Sequence, residues 1–125
     1  MTGYVDEDMQ PKVSLVVKGL RQAMPLEAIG DTGFNGDLCL PISFAIQVGL
    51  ELWGEQEFEL ANGSMSRDLM FIGRVVFENE ERDVLISLTS SKEALLGCRL
   101  LKGRKLEIGF ISRTLTILPE KSATV

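Results

Sequence analysis

The sequence predicts an all-β, barrel-like domain carrying one or two short helices, and three observations predict it. Apolar residues alternate in short runs, as in KVSLVVKG, where Val13, Leu15 and Val17 fall on one face. An Asn62-Gly63 pair stands between two extended segments, a signal for a tight hairpin. Extended segments then return up to the end of the chain, with no low-complexity stretch or linker to divide it.

Taken in order, residues 1–10 read as a flexible acidic lead-in, 11–119 as the domain and 120–125 as a short tail. After KVSLVVKG, the run Met24 to Ile29 delivers the chain to a glycine-flanked acid, Asp31. LCLP is extended, and Pro41 suits the first position of a short helix that Gly49 stops. The Asn62-Gly63 hairpin follows, then a second hairpin turning through Asn79, Glu80 and Glu81. SKEALLGCRLLKG offers an apolar pair, a glycine and a helix-compatible turn, and KLEIGF and RTLTILP finish as strands. The expected total is roughly eight strands and two short helices.

Composition narrows the chemistry. The chain has 125 residues, 45% of them hydrophobic, enough for one domain with a modest core. Its formal charge of −5 argues against nucleic acid and against anionic lipid as partners. The start of the chain is polar and acidic and no apolar run is long enough to span a bilayer, so a cytoplasmic setting is expected, with no membrane partner. There Cys39 and Cys98 are expected as reduced, buried small residues rather than a disulfide.

There is no histidine. Nucleophilic mechanisms that need an imidazole to carry the proton are therefore excluded, as are zinc sites built on histidine. No metal or other cofactor is expected. If the chain is an enzyme, carboxylates must move the protons.

Asp31-Thr32-Gly33 is the motif that could do so, although three letters alone fit a plain turn. In that reading Asp31 accepts backbone amide hydrogens and Gly33 takes a positive φ angle. Asp37, Asp68 and Asp83 lack any comparable frame and read as solvated turn or strand-edge acids. Phe34 could line a pocket or belong to the core. Trp53, before the first hairpin, reads as packing beneath it.

The order of elements adds what the letters lack. An apolar strand, Asp-Thr-Gly followed by Phe-Asn-Gly, a Pro-started helix, an Asn-Gly hairpin and a late Leu95-Leu96-Gly97 resemble the retropepsin-like aspartic proteases, particularly their small bacterial single-domain members. The resemblance runs from about Lys12 to Ile117. It implies a closed β-barrel of the acid-protease fold, with Asp31 catalytic and Thr32 and Gly33 supporting the active loop and the dimer. It further implies a flap over the cleft from about Glu57 to Leu69, with a short helix around Cys98 to Leu101. Phe34, Asn35, Ala61, Asn62, Gly63, Ser64, Leu95 and Leu96 are then expected about the substrate. Two positions depart from the family pattern. Gly30 replaces a bulky aliphatic residue before the aspartate, and Asn35 and Cys98 stand where retroviral members carry an acid and an arginine.

The resemblance also accounts for a lone aspartate. Hydrolysis by this route needs one carboxylate to deprotonate water and a second, protonated, to polarise the scissile carbonyl. A chain with one Asp-Thr-Gly obtains the second from its own copy across a twofold axis. The expected function is a homodimeric aspartic endopeptidase acting on a peptide or protein substrate. The alternative is a non-proteolytic dimer of the same fold that binds extended peptides in its cleft by strand addition.

Overall fold

The computed structural model describes residues 2–121. Ten strands and one helix follow in the order β1 (Thr2–Val5), β2 (Pro11–Lys18), β3 (Ala23–Gly30), β4 (Leu38–Pro41), α1 (Ile42–Val48), β5 (Glu51–Glu59), β6 (Met65–Phe77), β7 (Glu80–Thr89), β8 (Ala94–Leu96), β9 (Arg104–Gly109) and β10 (Thr114–Pro119). The β-rich class expected from the alternating pattern is what forms. The tally differs, since two more strands and one fewer helix are present among the described residues.

Six of the strands close a barrel in the ring β6-β7-β4-β8-β3-β2. Closure is made by β2 against β6, where Val16 faces Val76 and Val17 faces Val75. Most neighbours are antiparallel, but β3 runs parallel to β8 and β4 parallel to β7. Alternation on β2 sends Val13, Leu15 and Val17 inward, where they meet Leu38, Val75 and Ile86 in one apolar core. Two flaps of sheet leave the barrel: β5 extends along the first half of β6, and β1-β10-β9 continues outward from β2.

Three local expectations change. The N-terminal segment is not a loose lead-in, because Thr2–Val5 pairs with both β10 and β2. At the other end, Glu120 and Lys121 follow β10, and residues 122–125 of the expected tail lie outside the described residues. Pro41 caps α1 rather than opening it, while Gly49 ends it at φ 76° as expected. Residues 98–103 form successive i→i+3 turns, with Leu101 N–H bonded to Cys98 O and Lys102 N–H to Arg99 O, instead of a second helix.

Both hairpins turn differently from the sequence reading. In the first, Leu60 and Ser64 close a loop of Ala61, Asn62 and Gly63, with only Gly63 at positive φ. That is a type I turn with a bulge rather than the tighter two-residue form. In the second, Phe77 faces Glu80, so the turn is Glu78-Asn79 at φ 54° and 64° and not Asn79 to Glu81. The barrel sets this register. It places Val84 opposite Gly73 on the face shared with Val75 and Phe77, and a one-residue slip would turn Val84 and Ile86 outward. Glu78, a costly residue for a left-handed position, is braced by an ion pair with the largely shielded Arg104.

Candidate active site

The barrel delivers Asp31 through β3. Ala28, Ile29 and Gly30 run parallel to Ala94, Leu95 and Leu96, and just past the last pair the Asp31 N–H donates to Leu96 O at 2.9 Å. The chain then reverses. Phe34 N–H donates to Asp31 O at 3.1 Å, and Gly33 N–H donates to Asp31 Oδ1 at 2.9 Å. The Asp31 half of the turn anticipated from the three letters forms and orients the carboxylate, whereas Gly33 does not take the positive φ expected of it. Asp31 is half-buried, while Thr32 and Gly33 are exposed.

A second segment supports this loop. Gly97 N–H donates to Asp37 O at 3.0 Å, Cys98 N–H to Phe34 O at 2.8 Å and Arg99 N–H to Gly36 O at 3.2 Å. The Cys98 thiol adds a bond to Thr32 O at 3.1 Å. These neutral bonds occupy the place where the sequence offers no acid–arginine pair, since Asn35 and Cys98 cannot make one. Of the two free cysteines Cys39 is buried as expected, but Cys98 is exposed because its sulfur faces the loop rather than the core.

Glycine is required at the crossing. A Cβ on Gly97 would stand 2.2 Å from Gly36 O and 2.7 Å from the Phe34 ring, and one on Gly36 would meet that ring at 2.7 Å. Gly30 is different: a Cβ there meets nothing within 4 Å, so its missing side chain leaves open space beside the loop.

Next to the loop lies a cavity of about 530 Å³. Its floor carries Phe34, Asn35 and Asp37, and its cover is the inner face of the β5–β6 hairpin, with Phe58, Asp68 and Met70. Of the two readings offered for it, Phe34 meets the first: it is half-buried, packs against Gly36 and Gly97 and lines the cavity, and it is not part of the apolar core. Asp37 is less solvated than expected, because its Oδ2 accepts the Leu85 N–H at 3.3 Å. A larger groove of about 820 Å³, between β2, β3 and the Glu78-Asn79 turn, contains no residue of the Asp31 loop. Size alone does not select the site.

Several expected contacts fall elsewhere. Leu96 is 0% exposed, so it supports the loop from below and cannot reach a substrate with its side chain. Leu95 is half-buried and lies outside the cavity lining, paired with Cys39 across β4 and β8. Ala61 to Ser64 are exposed at the hairpin tip, and only Leu60 of that turn lines the cavity. Trp53 does not pack beneath the hairpin; it is 56% exposed at a bulge between Leu52 and Gly54. Reading the sequence missed Gln56, Phe58, Asp68, Met70 and Arg99 as lining residues. The period-two alternation of Gln56 and Phe58 with Asp68 and Met70 marks four of them as one hairpin face.

Asp31 and Thr32 do not line the cavity. Among the described residues the Asp31 carboxylate has one hydrogen-bond partner, the Gly33 amide.

This arrangement, a small closed barrel with a hairpin over an Asp-Thr-Gly loop, is the retropepsin-like aspartic protease fold. The structure is similar to a retropepsin-like aspartic protease from Rickettsia conorii, with a TM-score of 0.70 and 19% identity over 94% of this chain and 88% of that one. It is also similar to the EIAV protease complexed with the inhibitor HBY-793, with a TM-score of 0.59 and 11% identity over 78% of this chain and 89% of that one. No family model matches the sequence, and no curated protein matches it significantly.

Proposed function

We propose that the protein is an aspartic endopeptidase active as a homodimer, with Asp31 from each chain forming one site. The observation that carries this reading is the position of Asp31. Its carboxylate is oriented by Gly33 at the edge of the cleft, on a loop fastened to Leu96, Gly97, Cys98 and Arg99, yet it has no second carboxyl in its hydrogen bonds. Two such loops brought together on a twofold axis would supply the missing acid.

In that dimer the two carboxyls share a proton, because neighbouring carboxylates cannot both ionise easily. The ionised one takes a proton from water as it attacks the scissile carbonyl, and the protonated one donates to the carbonyl oxygen. The β5–β6 hairpin acts as the flap. Its inner residues Phe58, Leu60 and Met70 meet the peptide, and its exposed tip at Ala61 to Ser64 is free to move. Asn35 and Phe34 border the same cleft. The reducing, cytoplasmic setting expected from the sequence belongs to the same proposal, and both cysteines remain thiols in it.

The non-proteolytic alternative would be favoured if Gly30, in place of a bulky aliphatic residue, loosened the loop that carries Asp31. The Asp31 backbone keeps an ordinary bond to Leu96 O despite that glycine, which favours the enzyme. The test is cleavage of an unfolded protein substrate at mildly acidic pH. The parent should cut and Asp31→Asn, with an unchanged circular dichroism spectrum and melting temperature, should not. Equal cutting by both proteins would refute the assignment, and tight peptide binding without cleavage at any pH would favour the alternative.

A further inference from the structure

We propose that Asp68 and Arg99 act as an ion-pair latch that holds the β5–β6 hairpin down over a seated peptide, which makes both of them positioning residues. The inference rests on the reading of that hairpin as the flap of a peptide site. Two charges share a cavity without using each other. Asp68 comes from the hairpin on β6 and Arg99 from the turn after β8, and both line the cavity beside the Asp31 loop. Among the described residues neither side chain has a hydrogen bond or an ion pair.

Their neighbours are already engaged. On the other face of the hairpin, Arg67 pairs with Glu57 at 2.9 Å and with Glu55 at 3.8 Å. Asp37, the other carboxylate in the cavity, is tied to β7 through the Leu85 N–H. Arg99 has its backbone N–H fixed on Gly36 O, so its main chain stays with the floor while the long side chain is free to swing. The hairpin therefore carries an unused negative charge on its inner face, and the floor carries an unused positive one.

Closing the hairpin shortens the gap and expels water. Both changes strengthen the attraction, because Coulomb energy rises as separation and effective dielectric fall. Pairing costs no backbone rearrangement on the floor. An ion pair of this kind that stays partly solvated changes an equilibrium by about twofold to fivefold.

The experiment reads hairpin opening directly, by hydrogen exchange of the Leu60 to Ser64 amides in the full chain at low salt, with a peptide-like aspartic protease inhibitor bound. Asp68→Asn and Arg99→Gln should each speed exchange by about twofold to fivefold. The double variant should be no faster than either single one, and the swap Asp68→Arg with Arg99→Asp should return to the parent rate. High salt should erase the differences. Additive single effects, a swap that behaves like the double variant, or coupling of Arg99 to Asp37→Asn in place of Asp68→Asn would each overturn the latch. None of these outcomes needs proteolysis, so a parent that cuts nothing removes the enzyme reading without deciding this one. Where a peptide is cleaved, the single variants should raise KM more than they lower kcat, and the swap should recover it.

Discussion

Cys98 donates its backbone N–H to the carbonyl of Phe34 at 2.8 Å, and through that bond the turn after β8 carries the loop that presents Asp31. The bond sits in the middle of a ladder. Leu96 O receives the Asp31 amide on one side, and Arg99 N–H reaches Gly36 O on the other. Loop and support are distant in sequence but are brought together because β3 and β8 run parallel. What holds the candidate catalytic group is thus a set of main-chain bonds, which depend on close approach more than on side-chain identity.

Close approach makes Gly97 the most sensitive position of the support. Gly97→Ala would press a methyl group against Gly36 O and the Phe34 ring. Those are backbone and packed ring atoms with little room to give, so a loss of about 1–3 kcal/mol or more is expected. The melting temperature should fall, and any cleavage activity should fall further than stability explains. An unchanged melting temperature would mean that the loop yields more easily than the ladder implies.

Gly30 should behave in the opposite way. Its φ is not positive and a Cβ there meets open space. Gly30→Ala should therefore stabilise the chain by about 0.4–1 kcal/mol, chiefly by restricting the unfolded state. A thermal melt decides it: the midpoint should rise by a few degrees, and a fall would show that the open space is needed by the fold.

Acid should weaken the barrel seam at Glu81. The Lys18 ammonium hydrogen-bonds this carboxylate and, with Arg74 nearby, holds its pKa below the ordinary carboxylate value. A group whose folded pKa is depressed contributes stability above its unfolded pKa and loses it as pH falls through the folded one. Denaturant midpoints followed downward from neutral pH should drop more for the parent than for Glu81→Gln, and added salt should narrow the gap. Parallel curves at low salt would show that the pair contributes nothing.

Much of this was legible in the sequence because the signals are local. Alternation in KVSLVVKG places Val13, Leu15 and Val17 inward, Asn62-Gly63 marks a hairpin, and Asp31-Thr32-Gly33 marks the loop. What stayed hidden depends on distant partners. Thr2–Val5 becomes a strand through main-chain pairing with β10; Thr, Tyr and Val favour strands, but a four-residue run ahead of an acidic turn is too short to announce one. Glu78 takes a left-handed turn position because the barrel dictates register and Arg104 braces it. Asp68 and Arg99 reach one cavity only after the barrel closes, and Trp53 is exposed because a bulge interrupts its strand.

The central claim is that one active site is made by two chains, and mixing subunits tests it most directly. A parent chain paired with an Asp31→Asn chain brings one carboxyl and one amide, and the amide can act neither as base nor as acid. Exchange between subunits is first confirmed with differently labelled chains, since slow exchange alone would mimic independent sites. Total protein is then held constant while the parent fraction is lowered, and cleavage is measured. Activity should fall with the square of that fraction, so an equal mixture should retain about a quarter of the parent rate. A decline in simple proportion, with exchange confirmed, would contradict the shared site and return Asp31 to a single-chain role.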